Sequence, residues 1–289
     1  MFELIQNIDV AVLSALQGIS NPALDIVMVC ITFLGSPVFW FAVAAFLYWK
    51  GHERDSFFMM NIILFTASLV QLAKSSIERP RPSTIQYRVL DSFAETRVFS
   101  DFSFPSGHST MISAASVYLS KFFKMRHKIL IIIPIILVAF SRLYLGKHYL
   151  SDVIAGIVIG ALIGYAMFKL WEYSRCHDFR KLDTLPELGL LLAIGLLIVL
   201  FSFMESMQLV AIFAGYYLGL GFFLKSHHDQ PKLEGIPNLK KQAVGFFVLL
   251  ILLLPYLFQT APETQFISMF LAGLWVSLIW PLAYAWIKK

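Results

Sequence analysis

The sequence predicts an all-α protein, a polytopic bundle of transmembrane helices. Of its 289 residues, 58% are hydrophobic and only 14% are charged, and the mean hydropathy is +0.73. A soluble domain of this length would expose too much apolar surface to water, so the composition excludes that class. The net charge of +5 does not indicate a nucleic-acid-binding protein, because the lysines and arginines fall between apolar runs.

The first segment, residues 1–21, is mildly amphipathic, and we expect it to lie on the membrane surface or to pack against the bundle. The next apolar run, 22–49, is interrupted by Gly35-Ser36-Pro37, and each half is shorter than the roughly 20 residues that cross a bilayer. We interpret it as one kinked span, with a re-entrant hairpin as the alternative. Eight further spans, nine in all, are predicted at 56–78, 107–124, 128–145, 149–172, 187–204, 207–224, 242–259 and 265–287.

The basic residues between these runs predict the orientation of the chain. Most of them lie in alternate connectors and at the C-terminus, which places the C-terminus in the cytoplasm and the N-terminus outside. In a prokaryote the membrane would be the inner or plasma membrane. The extracytoplasmic connectors nevertheless hold a cluster of cations, for which anion binding supplies a reason; its members are Lys74, Arg79, Arg81, Arg88, Arg97, Arg142 and Lys147.

A first group of candidate residues ends the second span, in the segment Lys74-Ser-Ser-Ile-Glu-Arg-Pro-Arg81-Pro82. Lys74 and Arg81 are seven positions apart, so on a continuing helix they would share one face, two turns apart. Pro80 and Pro82 would then end that helix. Taken alone, this segment is better explained as an ordinary basic flank of a membrane span.

A second group begins the third span, Phe104-Pro105-Ser106-Gly107-His108. Ser106 is a plausible N-cap, and Gly107 lets the backbone approach a ligand closely. The N–H groups at such a helix N-terminus form an anion site, with His108 at its rim, where it could protonate a leaving oxygen. The alternative is a capped helix start with an incidental histidine.

The third group is Ser141–Asp152, in the short gap between two apolar runs. One helical turn separates His148 from Asp152, so the carboxylate could hold one imidazole nitrogen while the other faces a reactant. Arg142 offers a fixed fork of donors that suits phosphate. A cap formed by Asp152 would be structural only, but it would not explain Arg142 or His148.

Together, Lys-x6-Arg-Pro, Pro-Ser-Gly-His and Ser-Arg-x5-His-x3-Asp resemble the three signature motifs of the type 2 phosphatidic acid phosphatase superfamily. That family includes lipid phosphate phosphatases, undecaprenyl-diphosphate phosphatases, glucose-6-phosphatase and the vanadium haloperoxidases. The resemblance covers roughly residues 22–172, which we expect to form the catalytic membrane core; residues 173–289 form a four-span extension. The matching residues are Lys74, Arg81, Pro82, Pro105, Ser106, Gly107, His108, Ser141, Arg142, His148 and Asp152.

The resemblance implies a role for each residue. His148 would be the nucleophile that forms a phosphohistidine, with Asp152 orienting it and stabilising its charge. His108 would be the general acid and then the base that activates water. The phosphoryl oxygens would be bound by Lys74, Arg81, Ser106, Gly107 and Arg142. No metal or other cofactor is expected, because Lys74, Arg81 and Arg142 already neutralise the charge of the phosphoryl group.

We therefore expect an integral membrane phosphatase whose substrate is a lipid phosphate within the membrane. Phosphatidate, phosphatidylglycerophosphate, a sphingoid phosphate and a polyprenyl mono- or diphosphate are the candidates. One alternative is a phosphatase for a soluble ester such as glucose 6-phosphate, and another is a non-catalytic lipid-binding or transport protein. Neither the oligomeric state nor the role of the extension follows from the sequence.

Overall fold

A computed structural model describes residues 2–82, 102–124, 129–175, 207–226 and 239–287. These residues are helical apart from turns, short extended or irregular connections, and one isolated bridge between Pro80 and Phe102. The chain divides into two compact units. The first contains Met1–Trp40 and Phe65–Leu170, and the second contains Phe41–Leu64 and Trp171–Lys289.

The helices are named here in chain order. They are α1 (Phe2–Gln17), α2 (Pro22–Phe33), α3 (Pro37–Trp49), α4 (Glu53–Ile77), α5 (Gly107–Leu119), α6 (Ile132–Tyr144), α7 (Leu150–Ser174), α8 (Met207–Ser226), α9 (Leu239–Leu257), α10 (Pro262–Leu274) and α11 (Trp280–Ile287). A 3₁₀ turn, Ser120–Phe122, follows α5, and a π-helical segment, Trp275–Ile279, joins α10 to α11.

Three described helices are long and apolar enough to cross a membrane, namely Glu53–Ile77, Leu150–Ser174 and Pro262–Tyr284. The pair α2 and α3 passes the same test when it is taken as one broken span. Several shorter apolar helices match other predicted spans, but the count of nine stays a prediction. The span predicted at 187–204 lies outside the described residues.

The predicted kink at Gly35-Ser36-Pro37 is present. Helices α2 and α3 meet at an angle of 48° across a three-residue break, a geometry that fits both a kinked span and a re-entrant segment. Asn21 caps α2, because its side chain accepts a hydrogen bond from the Leu24 N–H at 3.0 Å. The Trp40 indole N–H donates to the Leu34 carbonyl at 2.8 Å and satisfies one carbonyl of the broken turn.

The first unit includes α1, which packs against α6 and α7. Val12 and Leu16 contact a buried apolar cluster of Ala139, Leu143 and Val153. The N-terminal segment thus contacts the helices of the first unit, and its placement at the membrane surface stays a prediction. The same unit holds a polar link, in which the Tyr144 hydroxyl donates to the Asp25 carboxylate at 3.0 Å and ties α6 to α2.

Helices α5 and α7 approach each other closely through a row of glycines on α7. A Cβ atom added at Gly156 would lie 2.7 Å from the Ser106 carbonyl oxygen, and one at Gly160 would lie 2.2 Å from the Thr110 carbonyl oxygen. Gly164 meets Ala114 in the same way. Small residues four positions apart allow such backbone contact between membrane helices. This row brings the N-terminus of α5 next to the N-terminus of α7, which carries Asp152.

In the second unit, side chains of α3 donate hydrogen bonds to backbone carbonyls of the π-helical segment. A π turn leaves backbone carbonyls without their usual helical partner. The Tyr48 hydroxyl donates to the Ser277 carbonyl and the Trp49 indole N–H to the Val276 carbonyl, each at 3.0 Å. Gly215 of α8 and Gly273 of α10 face the backbone of the opposite helix, so these two helices also pack through small residues.

The predicted division at residues 172 and 173 lies close to the break between Leu170 and Trp171. Residues 41–64, which we assigned to the catalytic core, group with the C-terminal unit instead. The predicted three-domain description therefore stays a proposal. Most of the loop between Lys-x6-Arg-Pro and the third span, residues 83–101, lies outside the described residues.

Candidate active site

Three segments of the first unit bring the candidate residues together. They are the end of α4 with the extended residues that follow it, the N-terminus of α5, and the end of α6 with the loop and first turn of α7 that follow it. The Ser106 N–H donates to the Asp152 carbonyl at 3.1 Å, which joins the second and third segments directly. Lys74, Arg142 and His148 are each only 2% exposed, so the site is buried although it is rich in charge.

Arg81 reaches the site differently from the prediction. A helix continuing to Arg81 is wrong, because α4 ends at Ile77 and Glu78 adopts a left-handed φ of 49°. The following residues are extended, and the Arg79 carbonyl accepts a hydrogen bond from the Ser103 N–H at 2.7 Å. The position of Arg81 is therefore set by the hydrogen bonding of its extended segment to the segment before α5. Only Lys74 is positioned by helical periodicity, as the sequence predicted.

Ser106 caps α5, as predicted. Its side chain accepts from the Ser109 N–H at 3.4 Å and forms a 2.9 Å hydrogen bond with the Ser109 hydroxyl. Ser106 is fully buried, and Gly107 is the first residue of the helix. The first turn thus presents N–H groups and the positive end of the helix dipole at the place where His108 lies.

The His148 ring is oriented by a backbone carbonyl. Its Nδ1 lies 2.7 Å from the Ser103 carbonyl oxygen and 3.8 Å from Oδ2 of Asp152, which is beyond hydrogen-bonding distance. A carbonyl oxygen can only accept, so Nδ1 carries the proton and Nε2 of the neutral ring keeps its lone pair. The expected orienting bond from Asp152 is therefore made by Ser103, because other donors occupy the carboxylate.

Positive charges surround His148. Burial, followed by the charges of Arg142, Arg81 and Lys74, holds the pKa of its imidazole well below the ordinary value of 6.5, although the hydrogen bond to Ser103 acts in the opposite direction. The same three cations also act electrostatically on His108. The ring is consequently neutral at pH 7, the state in which a histidine can attack phosphorus.

Two of these cations are held by hydrogen bonds to neighbouring elements. The Lys74 ammonium donates to the Phe102 carbonyl at 2.7 Å. Arg142 donates to the Thr32 hydroxyl at 3.1 Å, so α2 contributes to the site as well. Such contacts fix the cations in place before a ligand arrives, which lowers the reorganisation needed to bind an anion.

Asp152 is held by Arg79 and by the residue that precedes α7. Arg79 donates to Oδ1 at 2.5 Å, and the Tyr149 N–H donates to Oδ2 at 2.9 Å. Arg79 also donates to Asp9 at 2.7 Å. Burial lowers the pKa of Arg79, but the two carboxylates more than offset this effect and leave the pKa raised, so the guanidinium stays charged.

Sequence reasoning gave no role to Arg79, Asp9 or Ser103. Arg79 was one of several cations in the predicted anion-binding region, and no spacing rule separated it from Arg81. Asp9 had a weak signal, since it is an acidic residue in the middle of α1, and it is 1% exposed. Ser103 orients His148 through its main-chain carbonyl, for which side-chain identity carries no signal, and its hydroxyl donates to the Arg79 carbonyl at 3.2 Å.

Comparison with known proteins places this site in a family. The sequence model of the PAP2 superfamily matches residues 55–176, which include all eight predicted site residues. Phosphatidylglycerophosphatase B of Bacillus subtilis is 34% identical over 176 residues, which cover 55% of this chain and 81% of that relative. A lipid A 4'-phosphatase of Porphyromonas gingivalis is 25% identical over 172 residues, covering 55% and 71%.

A lipid A 1-phosphatase of Rhizobium johnstonii is 32% identical over 142 residues, covering 49% of this chain and 55% of the relative. The chain thus spans only about half the length of that protein. The three relatives are described as phosphatases, and the phosphate-bearing molecules in their names are membrane lipids.

Proposed function

The chain belongs to the PAP2 superfamily, and on that premise we propose that it is a membrane phosphatase that hydrolyses a lipid phosphate. One observation carries the proposal. A histidine whose Nδ1 faces a carbonyl oxygen has its Nε2 available as a nucleophile, and it lies among three cations beside a capped helix N-terminus. The names of the relatives support a lipid as the substrate.

In the proposed reaction, Nε2 of His148 attacks the phosphorus atom and the bond from phosphorus to the lipid oxygen breaks. His108 gives its proton to that oxygen, so the lipid leaves as an alcohol. Water then attacks the phosphohistidine, the N–P bond breaks, and His108 takes the proton from the water as inorganic phosphate forms. The bound phosphate offsets the cations and so favours the protonated His108 that the first step needs.

The other residues stabilise charge in this scheme. Lys74, Arg81 and Arg142, with Ser106 and the Gly107 N–H, bind the phosphoryl oxygens as negative charge spreads over them. The phosphohistidine ring is positive, and the Asp152 carboxylate, 3.8 Å from Nδ1, stabilises it electrostatically. No step requires a metal ion.

We also propose that the site opens to the extracytoplasmic side of the membrane. The proposal rests on the distribution of basic residues in the sequence, because the connectors on the other side carry most of them. Phosphatidate, phosphatidylglycerophosphate, sphingoid phosphates and polyprenyl mono- or diphosphates all carry the required group at headgroup depth.

The test uses purified protein and a panel of these lipid phosphates, lipid diphosphates and glucose 6-phosphate. His148→Ala should abolish phosphate release, and a phosphoryl group trapped by rapid acid-free denaturation should map to residue 148 in the wild type. His52→Ala is the matched control, because the His52 side chain is 58% exposed and lies in the second unit. Near-normal turnover in His148→Ala would refute the nucleophile, and hydrolysis of glucose 6-phosphate alone would refute a lipid substrate.

A further inference from the structure

An apolar cavity of about 580 Å³ lies beside the candidate site in the first unit. Ile5 and Val10 of α1 form one wall, and Ile77 and Arg79 form another at the end of α4. Tyr149 and Ser151 also line it, each next in sequence to a predicted catalytic residue. The volume is within the roughly 300–1,000 Å³ of typical small-ligand sites.

The wall contributed by α1 is fixed to the catalytic loop by Asp9. Its carboxylate accepts from the Ser151 N–H at 2.9 Å, from the Ser151 hydroxyl at 2.6 Å and from Arg79 at 2.7 Å. Since Asp9 is buried, this three-donor contact sets where α1 lies. The cavity is therefore a built feature whose wall and catalytic loop are joined by charged hydrogen bonds.

The lining divides the cavity chemically. Its polar end holds Glu78 and Arg79, and the Arg79 guanidinium lies 4.2 Å from the centre of the Tyr149 ring and is paired with Asp9 and Asp152. Apart from Gln6, the α1 side is apolar, and the same helix also exposes apolar side chains, with Leu4 63% and Ile8 47% exposed. Because Tyr149 and Ser151 adjoin His148 and Asp152 in sequence, a ligand whose phosphate lies at the candidate site can extend a hydrocarbon chain along α1.

We propose that this cavity binds the hydrocarbon chain next to the scissile phosphate, so that α1 is a specificity element of the enzyme. This inference rests on the proposed lipid phosphatase function. Glucose 6-phosphate has no apolar part to fill such a cavity. A chain moved from the bilayer into the cavity gains little from the hydrophobic effect, because lipid is already apolar. The cavity therefore acts by orienting a membrane lipid, and its contribution to affinity is measurable with monomeric substrates in water.

The experiment uses two water-soluble series below their micelle concentration, phosphate monoesters and non-hydrolysable phosphonates, with alkyl chains of increasing length. In the wild type, kcat/KM for the esters and affinity for the phosphonates should rise with chain length. The rise should be at most about fourfold per methylene, the value for complete removal from water. The shortest member of each series measures the phosphate site alone.

Ile5→Trp and Ile8→Trp form a matched pair on α1, since both isoleucines are about half exposed but only Ile5 lines the cavity. Ile5→Trp should flatten the dependence on chain length and leave the shortest compounds within twofold of the wild type. Ile8→Trp should keep the full dependence. Val10→Trp repeats the test from a second lining position.

Other outcomes overturn the inference. A flat dependence in the wild type, an unchanged slope in Ile5→Trp and Val10→Trp, or equal losses for all chain lengths would each exclude a substrate chain from the cavity. Equal losses would indicate a structural lipid. If the wild type hydrolyses no ester but its phosphonate affinity follows the expected pattern, the proposed function fails while the cavity assignment stands.

Discussion

Gly35→Ala tests whether the break between α2 and α3 makes room for the proposed general acid. A Cβ atom at residue 35 would lie 2.8 Å from Cβ of His108, 3.0 Å from the His108 carbonyl oxygen and 3.0 Å from Cγ1 of Val138. The shortest contact must open by about 0.6 Å to reach the 3.4 Å of ordinary van der Waals contact. The two His108 atoms are fixed by the backbone and cannot rotate away, so α5 or its first residues must shift.

A displacement of 1 Å at a catalytic group can cost about 100-fold in rate, so a shift of about 0.6 Å should lower kcat/KM by roughly 10- to 20-fold. The assay is phosphate release from purified protein, with thermal unfolding measured in the same detergent. Gly221→Ala is the control, because a Cβ there meets no atom within 4 Å. Activity of Gly35→Ala within twofold of wild type would refute the argument that His108 needs this space.

Three further predictions concern charge. The acid limb of the kcat/KM profile should lie below pH 6.5, after correction for the titration of the substrate, because His148 is active when neutral and its pKa is lowered. Lys74→Gln should move that limb to higher pH, because it removes one of the charges that lower the His148 pKa. A limb at the same pH would contradict this electrostatic cause. Asp9→Asn should lower the free energy of unfolding by about 1–3 kcal/mol, because Arg79 loses a buried acceptor; unchanged thermal unfolding would show that the contact is dispensable. EDTA should leave phosphate release unchanged and vanadate should inhibit it, whereas loss of activity that Mg²⁺ restores would contradict a metal-free reaction.

Much of the site could be predicted because its signals are local. The cap at Ser106 depends on a hydrogen bond to Ser109, three residues away, and such short-range geometry is encoded in residue type and spacing. The spacing of His148 and Asp152 correctly placed them near each other, across the start of α7. Composition and apolar runs likewise sufficed for a helical membrane protein, since burying a helix in lipid requires little more than length and hydrophobicity.

The partners of these residues could not be predicted in the same way. His148 is oriented by a carbonyl 45 positions away, and Arg79 joins Asp152 to a residue of α1 that lies 70 positions before it. Several donors are available to each buried carboxylate. Which of them forms the hydrogen bond depends on where packing brings the backbone. A one-turn spacing therefore indicated a direct bond between His148 and Asp152, whereas the tertiary structure gives that bond to Ser103.

Residue type, spacing and the placement of charge along the chain are sufficient to identify a helical membrane protein of the PAP2 superfamily and to propose a phosphate-binding histidine site in it. They also indicate Ser106, His108 and His148 as candidates for that site, because the role proposed for each depends on its own side chain and near neighbours. Tertiary packing decides how the site is held together. Gly156 and Gly160 set the distance between α5 and α7, and the position of α1 creates the apolar cavity, since both features depend on contacts between segments that are far apart in the chain.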